Sequence, residues 1–294
     1  MAYTTVISTE ALASHLDASV IVDCRYDLKD EGWGAEQYRA GHIPGAVYAS
    51  VSHDLAGPAT GRNGRHPIPT PEAMAATFGR LGIAPGTQVV VYDQDTGMWA
   101  SRLWWMLRYM GHDAAAVLDG GWAKWVREGR PVRAGQETRP GVTFSGRPRP
   151  ELRADLHLVE TILRDPSVLL VDARAPERFE GRTEPLDRVP GHIPGAVNYF
   201  YKSNMTPEGT LLPPEALHEQ FSHLLGERAA DEAIMYCGSG VSACHNLLAM
   251  EHAGLRGTKL YPGSWSEWSS DPARPVETGA AKHSGSGKVE TWKK

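Results

Sequence analysis

Chemistry is concentrated in the run Tyr236 to His245, where Cys237 is followed by Gly238, Ser239, Gly240, Val241 and Ser242. A thiolate is a strong nucleophile, and its reactivity depends on how well its surroundings stabilise negative charge. Upstream, Ala233-Ile234-Met235-Tyr236 is a short apolar run of the kind that forms a buried strand. Downstream, Leu247, Leu248 and Met250 lie among good helix formers, so a helix is expected to start near Ser242. The thiol is thus expected at a strand end, ahead of a turn that feeds a helix N-terminus. Two glycines let successive N–H groups converge on one point, an anion-binding concavity. The helix start adds about 0.3–1 kcal/mol for a nearby anion, rising to about 2 where partly buried. Cys237 is therefore expected to work as a thiolate.

Cysteine loops need a scaffold, and the sequence contains that scaffold twice. Val20-Ile21-Val22-Asp23-Cys24-Arg25 recurs as Leu169-Leu170-Val171-Asp172-Ala173-Arg174. Gly41-His42-Ile43-Pro44-Gly45-Ala46-Val47 recurs letter for letter at Gly191 to Val197. Val89 to Asp93 corresponds to Ala233 to Cys237, and Gly121-Trp122-Ala123-Lys124-Trp125 to Ser264-Trp265-Ser266-Glu267-Trp268. The offset stays near about 150 residues throughout, too long for a solenoid repeat, so the chain holds two copies of one domain. Expected bounds are 1–135 for a non-catalytic domain, 136–150 for a linker, 151–277 for the catalytic domain and 278–294 for a flexible tail. The linker reading comes from the aperiodic Gly, Pro and Arg content of Arg133 to Pro150.

Each copy alternates strands with helices, which predicts an α/β fold: two tandem domains, each a mainly parallel sheet with helices on both faces. Expected helices are Glu10–His15, Pro71–Leu81, Ser101–Met110, Ala154–Leu163, Pro214–Leu225 and Ala243–Ala253. In such sheets ligands bind at the carboxyl ends of strands, where Cys237 falls.

With 294 residues, a net charge of −5 and a pI near 6.2, the chain offers no footprint for nucleic acid. No apolar run approaches the roughly 20 residues needed to span a bilayer, and no signal peptide is visible. Three cysteines, Cys24, Cys237 and Cys244, do not make a disulfide framework, and a reducing cytoplasm is expected. A monomer is expected, with no cofactor and no metal. A zinc site from Cys237, Cys244 and His245 has no tetrahedral spacing.

Comparison of the copies singles out the second. Where it has Cys237, the first has Asp93 in the acidic loop Gln94-Asp95-Thr96-Gly97-Met98, which lacks a nucleophile. Cys24 pairs with Ala173 and is read as core, and Cys244 as helix packing. His42, His192, Asp23 and Asp172 occur in both copies, including the one without chemistry, and are read as scaffold.

Gly-His-Ile-Pro-Gly-Ala in both halves, Tyr261-Pro262-Gly263-Ser264-Trp265-Ser266-Glu267-Trp268 near the end, and a cysteine loop only in the second half resemble the rhodanese family of two-domain sulfurtransferases. The resemblance covers about residues 5 to 277. It implies that Cys237 takes sulfur from a donor, holds it as a persulfide and passes it to a thiophilic acceptor, cyanide or a thiol such as thioredoxin. Thiosulfate-preferring members carry Cys-Arg-Lys-Gly-Val-Thr. The uncharged Cys237 to Ser242 loop is similar instead to the Cys-Gly-Ser-Gly-Val-Thr loop of 3-mercaptopyruvate sulfurtransferases, with Gly238, Gly240, Val241 and Ser242 around the donor. Thiosulfate remains the alternative donor, and a catalytically silent binding module the alternative of another class. On the same resemblance, Arg178 and then Arg188, with Arg182 in reserve, would bind the donor's carboxylate. His66 would face the site in a relay with Ser239 and an acid, whose place falls nearest Ser52, with Asp54 two residues on. Placing Arg at 238 and Lys at 239 is expected to shift preference toward thiosulfate. A phosphatase cradle would need arginine at position 243, which is Ala243.

Overall fold

The computed structural model describes residues 2–163 and 165–280. In the first half, β1 (Val6–Ile7), β2 (Ser19–Asp23), β3 (Val47–Tyr48), β4 (Gln88–Tyr92) and β5 (Ala115–Leu118) form one sheet in the order β1-β5-β4-β2-β3. Around it lie α1 (Thr9–Ala13), α2 (Trp33–Ala40), α3 (Pro71–Arg80), α4 (Ala100–Tyr109) and α5 (Gly121–Arg127). The second half repeats the plan with α6 (Leu156–Ile162), β6 (Leu169–Asp172), α7 (Pro176–Phe179), β7 (Val197–Asn198) and α8 (Pro214–Leu225). It continues with β8 (Ala233–Tyr236), α9 (Ser242–His252), β9 (Lys259–Leu260) and α10 (Ser264–Trp268). Its sheet runs β7-β6-β8-β9, and a lone parallel bridge from Arg153 to Leu260 stands where the first sheet has β1. Every strand pair is parallel.

Strand residues alternate between two apolar faces, as a sheet covered on both sides requires. In β2, Val20 and Val22 face the cluster shared with α3 and α4, whereas Ile21 faces the one containing Leu12 and Trp125. In β8, Ala233 and Met235 face α8 and α9, while Ile234 and Tyr236 face Val159, Trp265 and Trp268. The cluster around α4 and α9 is continuous across both halves, so the two domains share one core.

Pro at the first turn starts α3 and α8 as expected. Asp155 caps α6 by accepting the Leu158 N–H at 2.8 Å, which starts that helix later than the apolar pattern suggested. The short helices α2 and α7 went unread because their faces are too mixed to show a period. The segment read as a linker is strapped to the first domain: Val142 N–H donates to the Gly79 carbonyl, and Phe144 packs edge-on to Phe78. From residue 281 on, the expected terminal tail lies outside the described residues.

The repeated motifs turn out to be one buried scaffold in each domain. Asp23 holds the Arg25 guanidinium, Arg25 Nη2 donates to the Gly41 carbonyl at 2.6 Å, and its guanidinium stacks on Trp122. Asp172, Arg174, Gly191 and Trp265 repeat this arrangement. His42 stacks on Tyr38 and His192 on Phe179, each with Nδ1 against a backbone carbonyl. This explains why Gly-His-Ile-Pro-Gly occurs in both domains, including the one with Asp93 in place of the loop cysteine. No helix among the described residues is long and apolar enough to cross a membrane.

Candidate active site

Strand β8 ends at Tyr236, so Cys237 sits at the carboxyl edge of the second sheet, only 2% exposed. Gly240 takes φ +74°, and a Cβ there would lie 2.4 Å from the Pro262 carbonyl oxygen, which explains why this position is glycine. Among the described residues, the N–H groups of Gly238, Ser239, Gly240, Val241 and Ser242 make no hydrogen bond. They are free to receive an anion beside the sulfur.

The first domain shows what such a loop accepts. Asp93, at the position of Cys237, turns its carboxylate back onto its own loop. Its Oδ1 accepts N–H groups of Asp95 and Gly97, and its Oδ2 those of Trp99 and Ala100, at 2.7–3.3 Å. Burial pushes its pKa up to about 6 against those donors. The acidic loop thus carries an anion of its own, which fills the concavity.

Several groups hold the Cys237 loop. The Cys237 N–H donates to Ser264 Oγ at 3.1 Å, and Ser264 Oγ–H donates to the Tyr261 carbonyl. Ser264 does so at φ +55°, strained for a residue with a Cβ, where the first domain has Gly121 at the same angle. Arg102, fully buried on α4 of the first domain, donates to the carbonyls of Gly240 and His66 at 2.9 Å each. Cys244 Sγ donates to the Gly240 carbonyl, and burial pushes its thiol up to about 12. It stays protonated and acts as packing. His245 is fully buried with Nε2 3.0 Å from the Thr96 carbonyl, so it is not turned toward Cys237. No cluster of metal-ligating side chains occurs among the described residues.

His66 reaches across from the first domain and places Nδ1 2.8 Å from Ser239 Oγ. The expected acid does not join them. Ser52 hydrogen-bonds the Tyr26 hydroxyl, and Asp54 accepts the Ser50 N–H and pairs with Arg80. The neighbours that matter are cations: burial, then Arg102 and Arg65, lower the His66 pKa to about 4, leaving a neutral imidazole.

Of the three expected arginines, Arg178 alone is seen at the loop, with both Nη atoms 3.6 Å from the point where a Gly238 Cβ would stand. Arg182 is exposed and paired with Glu180, and Arg188 is exposed with no ion pair or hydrogen bond among the described residues. Sequence reading missed Arg65, whose Nη2 lies 2.8 Å from that same point. Its only signal was adjacency to His66. A side chain at position 238 would first meet the free end of Arg65, so the expected loop exchange requires that guanidinium to move aside. Arg65 pairs with Asp187, and Arg178 with Glu184 and Asp187. Burial raises the Asp187 pKa while Arg65 pulls it down.

The rhodanese-like domain family matches residues 8–128 and 155–271. A Pseudomonas aeruginosa protein named "Probable 3-mercaptopyruvate sulfurtransferase" is 44% identical over 278 residues, covering 93% of this chain and 98% of that one. A Mycobacterium tuberculosis protein, provisionally named thiosulfate sulfurtransferase SseB, is 40% identical over 270 residues, covering 90% and 93%. Among solved structures, 3-mercaptopyruvate sulfurtransferase from Leishmania major superposes with a TM-score of 0.82 at 30% identity, covering 90% of this chain and 74% of that one. Two copies of the domain, one with the cysteine loop and one with its place filled by a carboxylate, make this chain a two-domain member of the rhodanese family.

Proposed function

We propose that the protein is a sulfurtransferase that moves sulfur from 3-mercaptopyruvate, through a persulfide on Cys237, to a thiophilic acceptor. The observation that carries the reading is the Cys237 loop, rich in free N–H groups and without a charged side chain of its own, closed by the Ser239–His66 pair. Cys237 thiolate attacks the donor sulfur, an S–S bond forms, and the C–S bond breaks with its electron pair left on carbon as pyruvate enolate. A proton returns to that carbon to give pyruvate. Ser239 donates its O–H to the departing carbonyl, and the neutral His66 imidazole, hydrogen-bonded to Ser239 Oγ, holds that hydroxyl in place and assists the proton's return. Gly238, Gly240, Val241 and Ser242 supply N–H groups to the developing charge. Arg178 binds the donor's carboxylate, since a planar guanidinium suits a carboxylate. In the second half-reaction an acceptor thiolate or cyanide attacks the outer sulfur, and Cys237 leaves as thiolate. Cyanide or a small redox protein thiol such as thioredoxin fits this chemistry. A reducing cytoplasm suits three free cysteines.

Thiosulfate by the same persulfide is the second reading, favoured by two guanidinium groups against Gly238 and by the name of the mycobacterial relative. A side-by-side assay decides: kcat/KM should be higher for 3-mercaptopyruvate, and a higher value for thiosulfate would reverse the assignment. Donor treatment should add one sulfur to Cys237 by mass spectrometry. Cys237→Ser should abolish transfer, and surviving transfer would remove Cys237 from the mechanism.

A further inference from the structure

Four charged side chains crowd the approach to Cys237, two from arginines and two from carboxylates. Arg65 comes from the first domain and Arg178 from the second, and both guanidinium groups lie beside Gly238, next in sequence to Cys237. Arg178 gives Nε and Nη2 to Glu184, which also accepts Arg174 Nη1, so Glu184 is part of the wall. Asp187 is placed differently. Its Oδ1 pairs with Arg65 Nη1 and its Oδ2 faces Arg178 Nη2 at 3.4 Å. One carboxylate thus bridges two guanidinium groups, one from each domain. Arg65 still has Nε buried with no hydrogen-bond partner, an unused donor of the kind that a fitted ligand satisfies. Asp187 is carried by residues 181–190, which contain neither helix nor strand, so its side chain can leave without breaking an element.

We propose that Asp187 occupies, in the donor-free enzyme, the place of the donor's carboxylate between Arg65 and Arg178, and that the donor binds by displacing it. This rests on the reading that the donor carries a carboxylate, and it names Arg65 as the second donor-binding cation. A resident carboxylate competes with every anionic donor. It opposes thiosulfate most, because thiosulfate carries two charges on the sulfur to be attacked and on oxygens two bonds from it, whereas mercaptopyruvate carries one carboxylate, set further off. Asp187 is thereby a specificity-determining residue, and it offsets the attraction that two arginines would otherwise hold for thiosulfate.

Asp187→Asn keeps the size and removes the charge. Its KM for 3-mercaptopyruvate should fall about fivefold to tenfold at unchanged kcat, and its kcat/KM for thiosulfate should rise about tenfold or more. Arg65→Gln should raise the KM for 3-mercaptopyruvate by about tenfold or more. An unchanged or higher KM in Asp187→Asn would overturn the proposal, because a residue that only positions the arginines would weaken binding when lost. Asp187→Ser provides the same test should the Asn variant fold poorly. Alkylation tests the pocket without any donor. The ratio of Cys237 rate constants for iodoacetate over iodoacetamide should rise in Asp187→Asn and fall in Arg65→Gln, and equal ratios in all three proteins would sink the anion site. A shifted ratio in an enzyme that does not turn over 3-mercaptopyruvate would refute the donor assignment and uphold the displaced carboxylate.

Discussion

The 2.8 Å contact between His66 Nδ1 and Ser239 Oγ joins side chains 173 residues apart, and its chemistry depends on what surrounds it. An aspartate beside His66 would favour imidazolium. Burial and two guanidinium groups do the reverse and lower the pKa to about 4, so the ring is neutral at working pH. The pH profile of kcat with 3-mercaptopyruvate should therefore show no His66 step between pH 6 and 8. A step near 6.5 that vanishes in His66→Asn would show that the ring does charge there. The same variant should lower kcat by about a hundredfold or more, the range expected when a positioned proton carrier is lost. Asp93 illustrates the same physics in reverse, since a carboxylate in the matching loop remains a hydrogen-bonded anion acceptor in spite of full burial.

At the scale of elements, the strand-loop-helix unit works because its backbone is bent where side chains cannot go. Gly240 combines a left-handed φ with a carbonyl 2.4 Å from its missing Cβ, so neither rotation nor a small shift relieves a substitution. Gly240→Ala should destabilise the protein by about 2–3 kcal/mol and depress kcat, because the loop N–H groups lose their convergence. Thermal denaturation and steady-state kinetics check this, and a variant that melts with wild type would show that the loop tolerates a Cβ. Helix α9, which starts at this loop, has eight of its eleven residues buried. On the facing α4, nine of ten residues are buried. Helices buried on nearly every face need neighbours all round.

At the scale of the whole molecule, those neighbours come from the other domain. The shared core around α4 and α9 is crossed by polar ties from one domain to the other, among them Arg102 to the Gly240 carbonyl, His245 to the Thr96 carbonyl and the Arg108–Glu251 ion pair. Burial lowers the His245 pKa to about 4. Below pH 6.5 the unfolded chain takes up a proton that the native state refuses, so its contribution to stability is lost as pH falls from about 6.5 to 4. The full loss is on the order of 3 kcal/mol. Wild type should therefore lose stability relative to His245→Asn across this window, whatever their difference at pH 7. Denaturant titrations of both proteins at pH 7, 5.5 and 4.5 measure it, and a constant difference would show that His245 ionises in the folded state as it does in water.

Local signals in the sequence pointed to Cys237 as the nucleophile and determined the duplication and most of the long helices. An apolar run, two glycines, a helix start and a first-turn proline act within a few residues, so they are legible in one dimension. Comparison of Asp93 with Cys237 singled out the second domain as the one expected to carry the chemistry. Tertiary structure alone decided who stands around Cys237. Arg65 and Asp187 meet over 122 residues, Arg102 and Gly240 over 138, and Cys237 and Ser264 over 27. Spacing along the chain carries no trace of such pairings, because folding brings them together through a shared core and not through any local period. For that reason the sequence pointed to Arg188, Arg182 and an acid near Ser52, while the fold put Arg65 beside Arg178 and gave His66 cations for neighbours.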